Sequence, residues 1–203
     1  MPCIGEIREN RGLVEIVCDG VTVARVRRAH YLKCPLEPGE EIDLDAYLDR
    51  VAAAQFSDGY EAALTSLDRC ARSEKEIASA LRRRGYVEAC VRAVTARLRE
   101  NGLIDDARYA QRMAELQSVK PVGRYAFKRK LRAKGISEAD AEEALSTFDD
   151  AQQQDAALEA ARKLFRRYEA LPEREAKAKL SQALARRGFA WDAIESAMDE
   201  LFE

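Results

Sequence analysis

The sequence predicts a mainly α-helical protein in which three tandem three-helix repeats form an elongated arch, preceded by a small N-terminal β-rich module. From Phe56 onward Ala, Leu, Glu and Arg dominate, which is the composition of a helical protein. The apolar period changes to 3.6 residues at Ser57, and a glycine-centred pattern then occurs three times. The 7% aromatic content and ten glycines argue against an all-β sandwich, and the net charge of −2 excludes a histone-like polycation.

Residues 1–56 have the pattern of a small antiparallel sheet. Short β-branched runs flank the dipeptide Asp19-Gly20, a two-residue hairpin signal, so about three strands are expected. The module has 10 acidic and 7 basic residues and is too small to bury much surface alone, so we expect it to pack on its neighbour. Its expected elements include strands around 13–17 and 21–26, a turn at 37–40 and a short helix at 45–54.

The repeats are defined by the pattern Leu, three residues, Gly, then Tyr, Ile or Phe. Gly85, Gly135 and Gly188 are 50 and 53 residues apart, and each is expected just past a helix C-terminus, where φ > 0 ends the helix. Apolar residues at fixed distances from each glycine are predicted to line a core. They are Ile77, Leu81, Tyr86, Val91 and Leu98; Phe127, Leu131, Ile136, Ala141 and Phe148; and Leu180, Leu184, Phe189, Ile194 and Leu201.

Helix-start signals set the boundaries of the repeats. Two have the spacing of a capping box, Ser73 with Glu76 and Ser137 with Asp140, and two are prolines at a helix start. A further amphipathic helix is predicted before each pair. The two prolines are Pro121 and Pro172. The first helices of the repeats are predicted around 59–71, 106–118 and 154–168. The three repeats then span 57–104, 105–150 and 151–203.

Charge is segregated along the repeats although it is nearly balanced overall. Residues 116–137 contain seven bases, Lys120 among them, and no acid, whereas 137–150 contain six acids and no base. Residues 176–191 have four bases and no acid, and 192–203 have five acids and no base. Because solubility is served by mixed charges, this pattern predicts a cationic surface for a polyanion or an acidic protein. Its predicted members, here called the basic face, are Arg82, Arg83, Arg84, Arg124, Lys128, Arg129, Arg132, Lys134, Lys177, Arg186 and Arg187.

Two features of the basic face allow a simpler interpretation. Arg124, Lys128 and Arg132 recur at i, i+4 and i+8 and form a strip, but charged strips also serve solubility. Tyr125 within this segment fits an ordinary packing role better than base stacking. Three members precede the repeat glycines, where a cation also complements the helix dipole; they are Arg84, Lys134 and Arg187.

Motifs of enzymes and cofactor sites are missing from the sequence. It has no phosphate-binding loop, no dinucleotide-binding turn and no nucleophile elbow. His30 is the only histidine and fits a surface or packing role, and Asp105-Asp106 fits a helix cap better than a metal site. Five cysteines without a Cys-x-x-Cys pair suggest reduced thiols in a cytosol. We expect no enzyme activity, no cofactor, no metal and no membrane partner.

Several phrases in the repeats are similar to those of one known family. They are Ser-Glu-Lys-Glu-Ile at 73–77, Gly-Leu-Ile-Asp-Asp-Ala-Arg-Tyr-Ala at 102–110, and Lys-Leu at 179–180 followed by Leu-Ala-Arg-Arg-Gly-Phe at 184–189. With these phrases, and with three repeats in this order, the chain resembles the RecX regulatory proteins of bacteria over residues 57–203.

The resemblance implies a cytoplasmic, monomeric regulator of the RecA recombinase. Proteins of this family bind in the groove of the RecA–DNA filament and inhibit its ATPase, strand-exchange and coprotease activities, and some bind DNA directly. The basic face would then contact the filament, with any DNA, single- or double-stranded, held through its backbone. The alternatives are a non-sequence-specific DNA-binding helical repeat protein without a filament partner, and a scaffold that binds proteins through its acidic helices.

Overall fold

The computed structural model describes residues 3–117 and 122–202, and the chain divides into two compact units, Met1–Asp105 and Asp106–Glu203. The predicted class is confirmed: the protein is mainly helical, with three three-helix repeats and a small N-terminal sheet. None of the helices in these ranges combines the length and the apolar composition of a membrane span. The strands are β1 (Ile4–Asn10), β2 (Leu13–Cys18) and β3 (Val21–Arg27). The helices are α1 (Arg28–Tyr31), α2 (Leu44–Arg69), α3 (Glu74–Arg83), α4 (Glu88–Glu100), α5 (Asp106–Gln117), α6 (Arg124–Ala133), α7 (Glu138–Leu145), α8 (Asp150–Phe165), α9 (Glu173–Arg186) and α10 (Trp191–Phe202).

The sheet is an antiparallel meander in the order β1-β2-β3. Arg11 and Gly12 form its first turn and Asp19 and Gly20 its second, and these residues have φ of 49°, 77°, 50° and 80°. Two successive residues with positive φ are typical of the type I′ turn, whose twist matches that of the strands. The hairpin predicted at Asp19-Gly20 is confirmed.

One long helix, α2, stands where the sequence predicts two. A short helix is expected before residue 56 and another after it, but α2 is continuous over its 26 residues. No break separates the two expected helices, and Gly59 lies buried inside α2, where it allows close packing. A Cβ at Gly59 would lie 3.3 Å from atoms of both Tyr86 and Cys90. The module boundary predicted at residue 56 therefore falls inside a helix.

The glycine pattern ends the middle helix of every repeat as predicted. Gly85, Gly135 and Gly188 have φ of 80°, 87° and 83°. In each repeat the N–H after the glycine donates to the carbonyl of the patterned leucine at 3.1–3.3 Å, and the glycine N–H donates to the carbonyl three residues earlier at 2.9–3.0 Å. This is the Schellman arrangement, which satisfies carbonyls at a helix end. The predicted core positions are buried, apart from the half-buried Leu201.

Three of the predicted helix-start residues lie directly before helices. Ser73, Ser137 and Pro172 precede α3, α7 and α9, and both serines accept a hydrogen bond from the backbone N–H three residues further on. Such bonds satisfy N–H groups that have no partner within the helix. Pro121 and Lys120 lie outside the described residues.

In the first unit the sheet and the first repeat share one hydrophobic core. The sheet reaches the turn after α3, where the Arg27 N–H donates to the Gly85 carbonyl at 3.3 Å and Leu13 lies against the glycine. The buried Gln55 of α2 donates to the same carbonyl at 3.0 Å and accepts from the Val87 N–H at 2.8 Å. The N-terminal module thus packs on its neighbour, as expected.

In the second unit, repeats 2 and 3 have separate cores and meet where α6 begins. A Cβ on Gly123 would lie 2.1 Å from the carbonyl of Gly188, so the two backbones touch. The Tyr125 N–H donates to that carbonyl at 3.0 Å, and the Arg124 N–H donates to Oε1 of Gln153 at 3.0 Å. Repeat 3 therefore satisfies N–H groups that the start of α6 leaves unpaired.

Candidate functional site

The basic face begins with three arginines at the end of α3. Arg82 Nε and Nη2 donate to the two carboxylate oxygens of Glu88, each at 2.7 Å. These hydrogen bonds raise the pKa of Arg82 and lower the pKa of Glu88. Arg83 and Arg84 are exposed, and neither has an ion-pair partner in the described part of the chain. Two of the three arginines can therefore meet an external anion without losing an internal partner.

The strip of Arg124, Lys128 and Arg132 is met by acids of the following helices. The hydrogen bonds from Lys128 and Arg132 lower the pKa of Glu138, and the bond to Glu138 is the main reason that the pKa of Lys128 is raised. The strip is therefore largely neutralised within its own unit. Arg124 pairs with Asp150 at 3.4 Å. Lys128 pairs with Glu138 at 2.5 Å and also with Glu142. Arg132 Nε donates to Glu138 at 2.7 Å.

Three arginines, on α6 and at the end of α9, form no ion pair with any carboxylate of the described residues. Arg129 Nη2 on α6 donates to the backbone carbonyl of Arg186 at 3.4 Å. Arg186 donates to the neutral side chain of Gln182 at 2.6 Å. Arg187 is exposed and has no ion-pair partner within the described ranges. The structure thus brings together residues of the basic face that are 57 positions apart in sequence.

The two remaining lysines of the basic face contact aromatic rings. Lys134 Nζ lies 5.5 Å from the ring centre of Tyr109. Lys177 Nζ lies 4.9 Å from the ring centre of Phe202 and pairs with Glu173 at 2.8 Å. Cation–π contacts of this kind fix the lysine over the ring, so these two cations have local roles in addition to any external one.

Sequence reasoning missed the pairing between basic and acidic helices. In repeats 1 and 2 an ion pair joins the middle helix to the third helix. Its arginine lies three residues before the repeat glycine and its glutamate three residues after it. The pairs are Arg82 with Glu88 and Arg132 with Glu138. This spacing was available in the sequence as a signal. The acids of α7 are thus partly engaged within their repeat.

Two large aromatic side chains lie exposed on the second unit. Tyr125, expected to have a packing role, is 53% exposed, and Trp191 is 68% exposed. Tyr125 also borders a surface cavity of about 400 Å³ beside α6. The cavity is lined by Arg124, Tyr125, Lys128, Glu142, Leu145 and Ser146. No local sequence pattern predicts that these two rings are exposed.

The titratable side chains buried among the described residues include His30 and Cys90. His30 is buried, and its Nε2 lies 2.8 Å from Oδ2 of Asp58. Burial raises the pKa of Cys90 to about 11, which keeps the thiol protonated at neutral pH. All five cysteines are described, and they are free thiols. Over residues 3–117 and 122–202 no cluster of His, Cys, Asp or Glu could hold a metal ion, and Asp106 begins α5.

Family models match each of the three repeats. The first three-helix domain of RecX matches residues 60–98, the second matches 105–145 and the third matches 150–198. These matches cover most of the helical part of the chain and fall in the order of the repeats seen in the structure.

Relatives and solved structures agree with the family models. The regulatory protein RecX of Limosilactobacillus reuteri (strain DSM 20016) is 30% identical over 97% of this chain and 75% of its own length. That of Streptococcus pneumoniae (strain Hungary19A-6) is 37% identical over 73% of this chain and 57% of its own. A crystal structure of regulatory protein RecX has a TM-score of 0.69 at 30% identity, covering 98% of this chain and all of its own. The crystal structure of RecX from Lactobacillus salivarius has a TM-score of 0.65 at 31% identity, and the match covers 73% of this chain and 97% of that chain. The chain belongs to the RecX family of regulatory proteins.

Proposed function

We propose that this chain is a non-enzymatic, cytoplasmic negative regulator of RecA, acting as a monomer. It binds in the groove of the RecA–DNA filament and inhibits the ATPase, strand-exchange and coprotease activities of the filament. Family membership supports the regulatory role. The observation that supports binding to an anionic partner is that Arg83 and Arg84, in the first unit, and Arg187, in the second, are exposed and have no ion-pair partner among the described residues. Such cations attract acidic protein surfaces and phosphates.

A filament ATPase titration tests this proposal. The chain is added in substoichiometric amounts to cognate RecA on single-stranded DNA, and ATP hydrolysis is followed. We expect slower hydrolysis and co-sedimentation of the chain with the filaments. Unchanged hydrolysis together with no co-sedimentation would show that the chain does not regulate the filament.

A charge-reversal variant tests the surface. Replacing Arg83, Arg84 and Arg187 by Glu should weaken inhibition at least tenfold, because the variant would repel an anionic partner. The fold should be retained, because these side chains form no internal ion pair among the described residues. The matched control reverses three other exposed arginines, Arg11, Arg112 and Arg174, and so makes the same change in net charge. The control should inhibit within about twofold of the unaltered chain. Equal effects of the two variants would refute the assignment of these arginines and leave only a general electrostatic attraction.

The second candidate is a non-sequence-specific DNA-binding protein without a filament partner. Both candidates use the same arginines, so variants of these arginines do not separate the two functions. The two functions are separated by comparing the affinity for RecA-coated DNA with the affinity for naked DNA. Filament regulation requires tighter binding to RecA-coated DNA than to naked DNA at one salt concentration, whereas the second candidate requires equal or weaker binding. A scaffold that binds through its acidic helices would show no retention on DNA even at low salt.

A further inference from the structure

The cations on α6 meet carboxylates that are themselves open to solvent. We call the cations the α6 strip; they are Arg124, Lys128 and Arg132. We call their partners the covering carboxylates; they are Glu138, Glu142 and Asp150. The side chains of the covering carboxylates are 49%, 59% and 75% exposed. Because these side chains lie at the surface, their ion pairs can open without disturbing the core of repeat 2.

The cations of the α6 strip are held in a fixed row. They recur at i, i+4 and i+8 of one helix, so they lie about 6 Å apart along a line of about 12 Å. Phe127 and Leu131 hold this helix in the core of repeat 2, where both are buried. All three cations are partly exposed. An external anion can therefore approach each of them from solvent.

A surface cavity of about 400 Å³ adjoins the α6 strip. Arg124 and Lys128 line it from α6, and Glu142 lines it from α7. A carboxylate that entered this cavity would lie beside both cations and could replace Glu142 at Lys128. The structure thus has room for an exchange of one carboxylate for another.

The surroundings of the α6 strip favour an acidic polypeptide as the external ligand. Its carboxylates make the same charge-assisted hydrogen bonds as the covering carboxylates, so nothing is lost at the cations when the partners exchange. The exposed ring of Tyr125 also lines the cavity and can pack against the methylene groups of a glutamate side chain. The phosphates of a nucleic acid have no such apolar part.

We propose that the covering carboxylates act as a built-in competitor, which holds the α6 strip at reduced affinity for an acidic polypeptide. The inference rests on the proposed function, in which the basic face meets an acidic protein surface, and adds what limits the strength of that contact. Each exposed ion pair changes an equilibrium constant by roughly 1.5- to 5-fold. A partner must therefore present several carboxylates in a row before it displaces the internal ones.

Neutralising two covering carboxylates tests the competition. The full chain carrying Glu138→Gln and Glu142→Gln is titrated at low salt with fluorescently labelled poly-glutamate of about 20 residues, and the anisotropy is followed. We expect binding at least threefold tighter than by the unaltered chain, because the two changes remove three ion pairs of the α6 strip. The difference should shrink as salt is added, because salt also screens the internal pairs.

The matched control carries Glu195→Gln and Asp199→Asn on α10. Both acids are exposed and have no ion-pair partner in the part of the chain that the structure describes, so the control makes the same change in net charge. It should alter the affinity less than twofold. Far-UV circular dichroism checks that the helices of every variant are retained.

Two further variants connect the effect to the α6 strip. Adding Arg124→Gln and Lys128→Gln to the acid-lacking variant should abolish the increase in affinity, because the cations that the acids covered are then missing. Glu142→Gln alone removes one ion pair and should tighten binding about 1.5- to 5-fold. This single change tests the proposal even if the double change unfolds repeat 2.

Four results would overturn the proposal. They are unchanged affinity of both acid-lacking variants, an equal increase in the control, an increase that persists without Arg124 and Lys128, and an equal increase for labelled oligo(dT). The last result would show that the covering carboxylates do not select an acidic polypeptide. The titration contains no recombinase, so its outcome is distinguishable from that of the filament ATPase test on the unaltered chain.

Discussion

Gly123 and Gly188 hold repeats 2 and 3 together through a contact between backbones. Gly188 needs its positive φ of 83° to end α9, but Gly123 has an ordinary φ of −68° and is needed for space alone. The sequence pattern predicted Gly188 because every repeat has such a residue. Gly123 could not be predicted, because local sequence carries no sign of a contact with a segment 65 residues away.

Replacing Gly123 by Ala should destabilise the second unit. The new Cβ would lie 2.1 Å from the Gly188 carbonyl, and a backbone neighbour cannot move aside as a flexible side chain can. We expect a loss of about 1–3 kcal/mol in the free energy of unfolding, measured by urea titration with far-UV circular dichroism. Gly5→Ala is the control, since its Cβ would meet its nearest neighbour at an ordinary 3.6 Å. Equal stability of the Gly123 variant and the unaltered chain would contradict the close contact.

The helices pair by charge as well as by apolar packing. The sequence predicted that α6 is basic and α7 acidic, and it placed their buried faces correctly. It left the ion pairs between them unrecognised, since these depend on how two helices joined by a Schellman turn cross each other. These ion pairs determine which cations of the basic face can bind an external anion. Lys128 and Arg132 contribute to the structure of repeat 2, whereas Arg83 and Arg84 keep their charges available.

Acid should weaken the second repeat through Glu138. Hydrogen bonds from Lys128 and Arg132 hold the pKa of this carboxyl below its ordinary value of 4.5. A carboxyl with a lowered folded-state pKa contributes stability above its unfolded pKa and loses it as the pH falls through the folded pKa. The unaltered chain should therefore lose more stability between pH 7 and pH 3 than Glu138→Gln, as measured by urea unfolding at several pH values.

Glu195 provides the control for this pH dependence. It is exposed on α10 and has no ion-pair partner among the described residues, so Glu195→Gln should follow the unaltered chain at every pH. If Glu138→Gln loses as much stability in acid as the unaltered chain does, the ion pairs of α6 and α7 contribute nothing to folding.

At the scale of the whole molecule, the division into two units differs from the four segments that the sequence suggests. The helix content and the number of repeats could be predicted, because they depend on a strong periodic pattern. The continuity of α2 could not be predicted, because the change of apolar period at Ser57 suggested that one helix ends before this residue and another begins after it. In the structure Tyr86 and Cys90 pack closely against Gly59 inside this continuous helix.

Each unit should fold when expressed alone. Met1–Asp105 contains one core shared by the sheet and the first repeat, and Asp106–Glu203 contains the cores of the other two. We expect both fragments to show helical far-UV circular dichroism and a cooperative thermal transition. A fragment with the spectrum of a random coil would show that its core depends on the other unit.

The N-terminal strands cover the turn at Gly85, which ends the middle helix of repeat 1. In the first unit the Arg27 N–H donates to the Gly85 carbonyl, and in the second the Tyr125 N–H donates to the Gly188 carbonyl. β3 thus does for repeat 1 what the start of α6 does for repeat 3. Repeat arrays need a terminal element that shields their last interface from water and from other copies. The meander covers the Gly85 turn, so a chain trimmed to its helices would expose this turn to water.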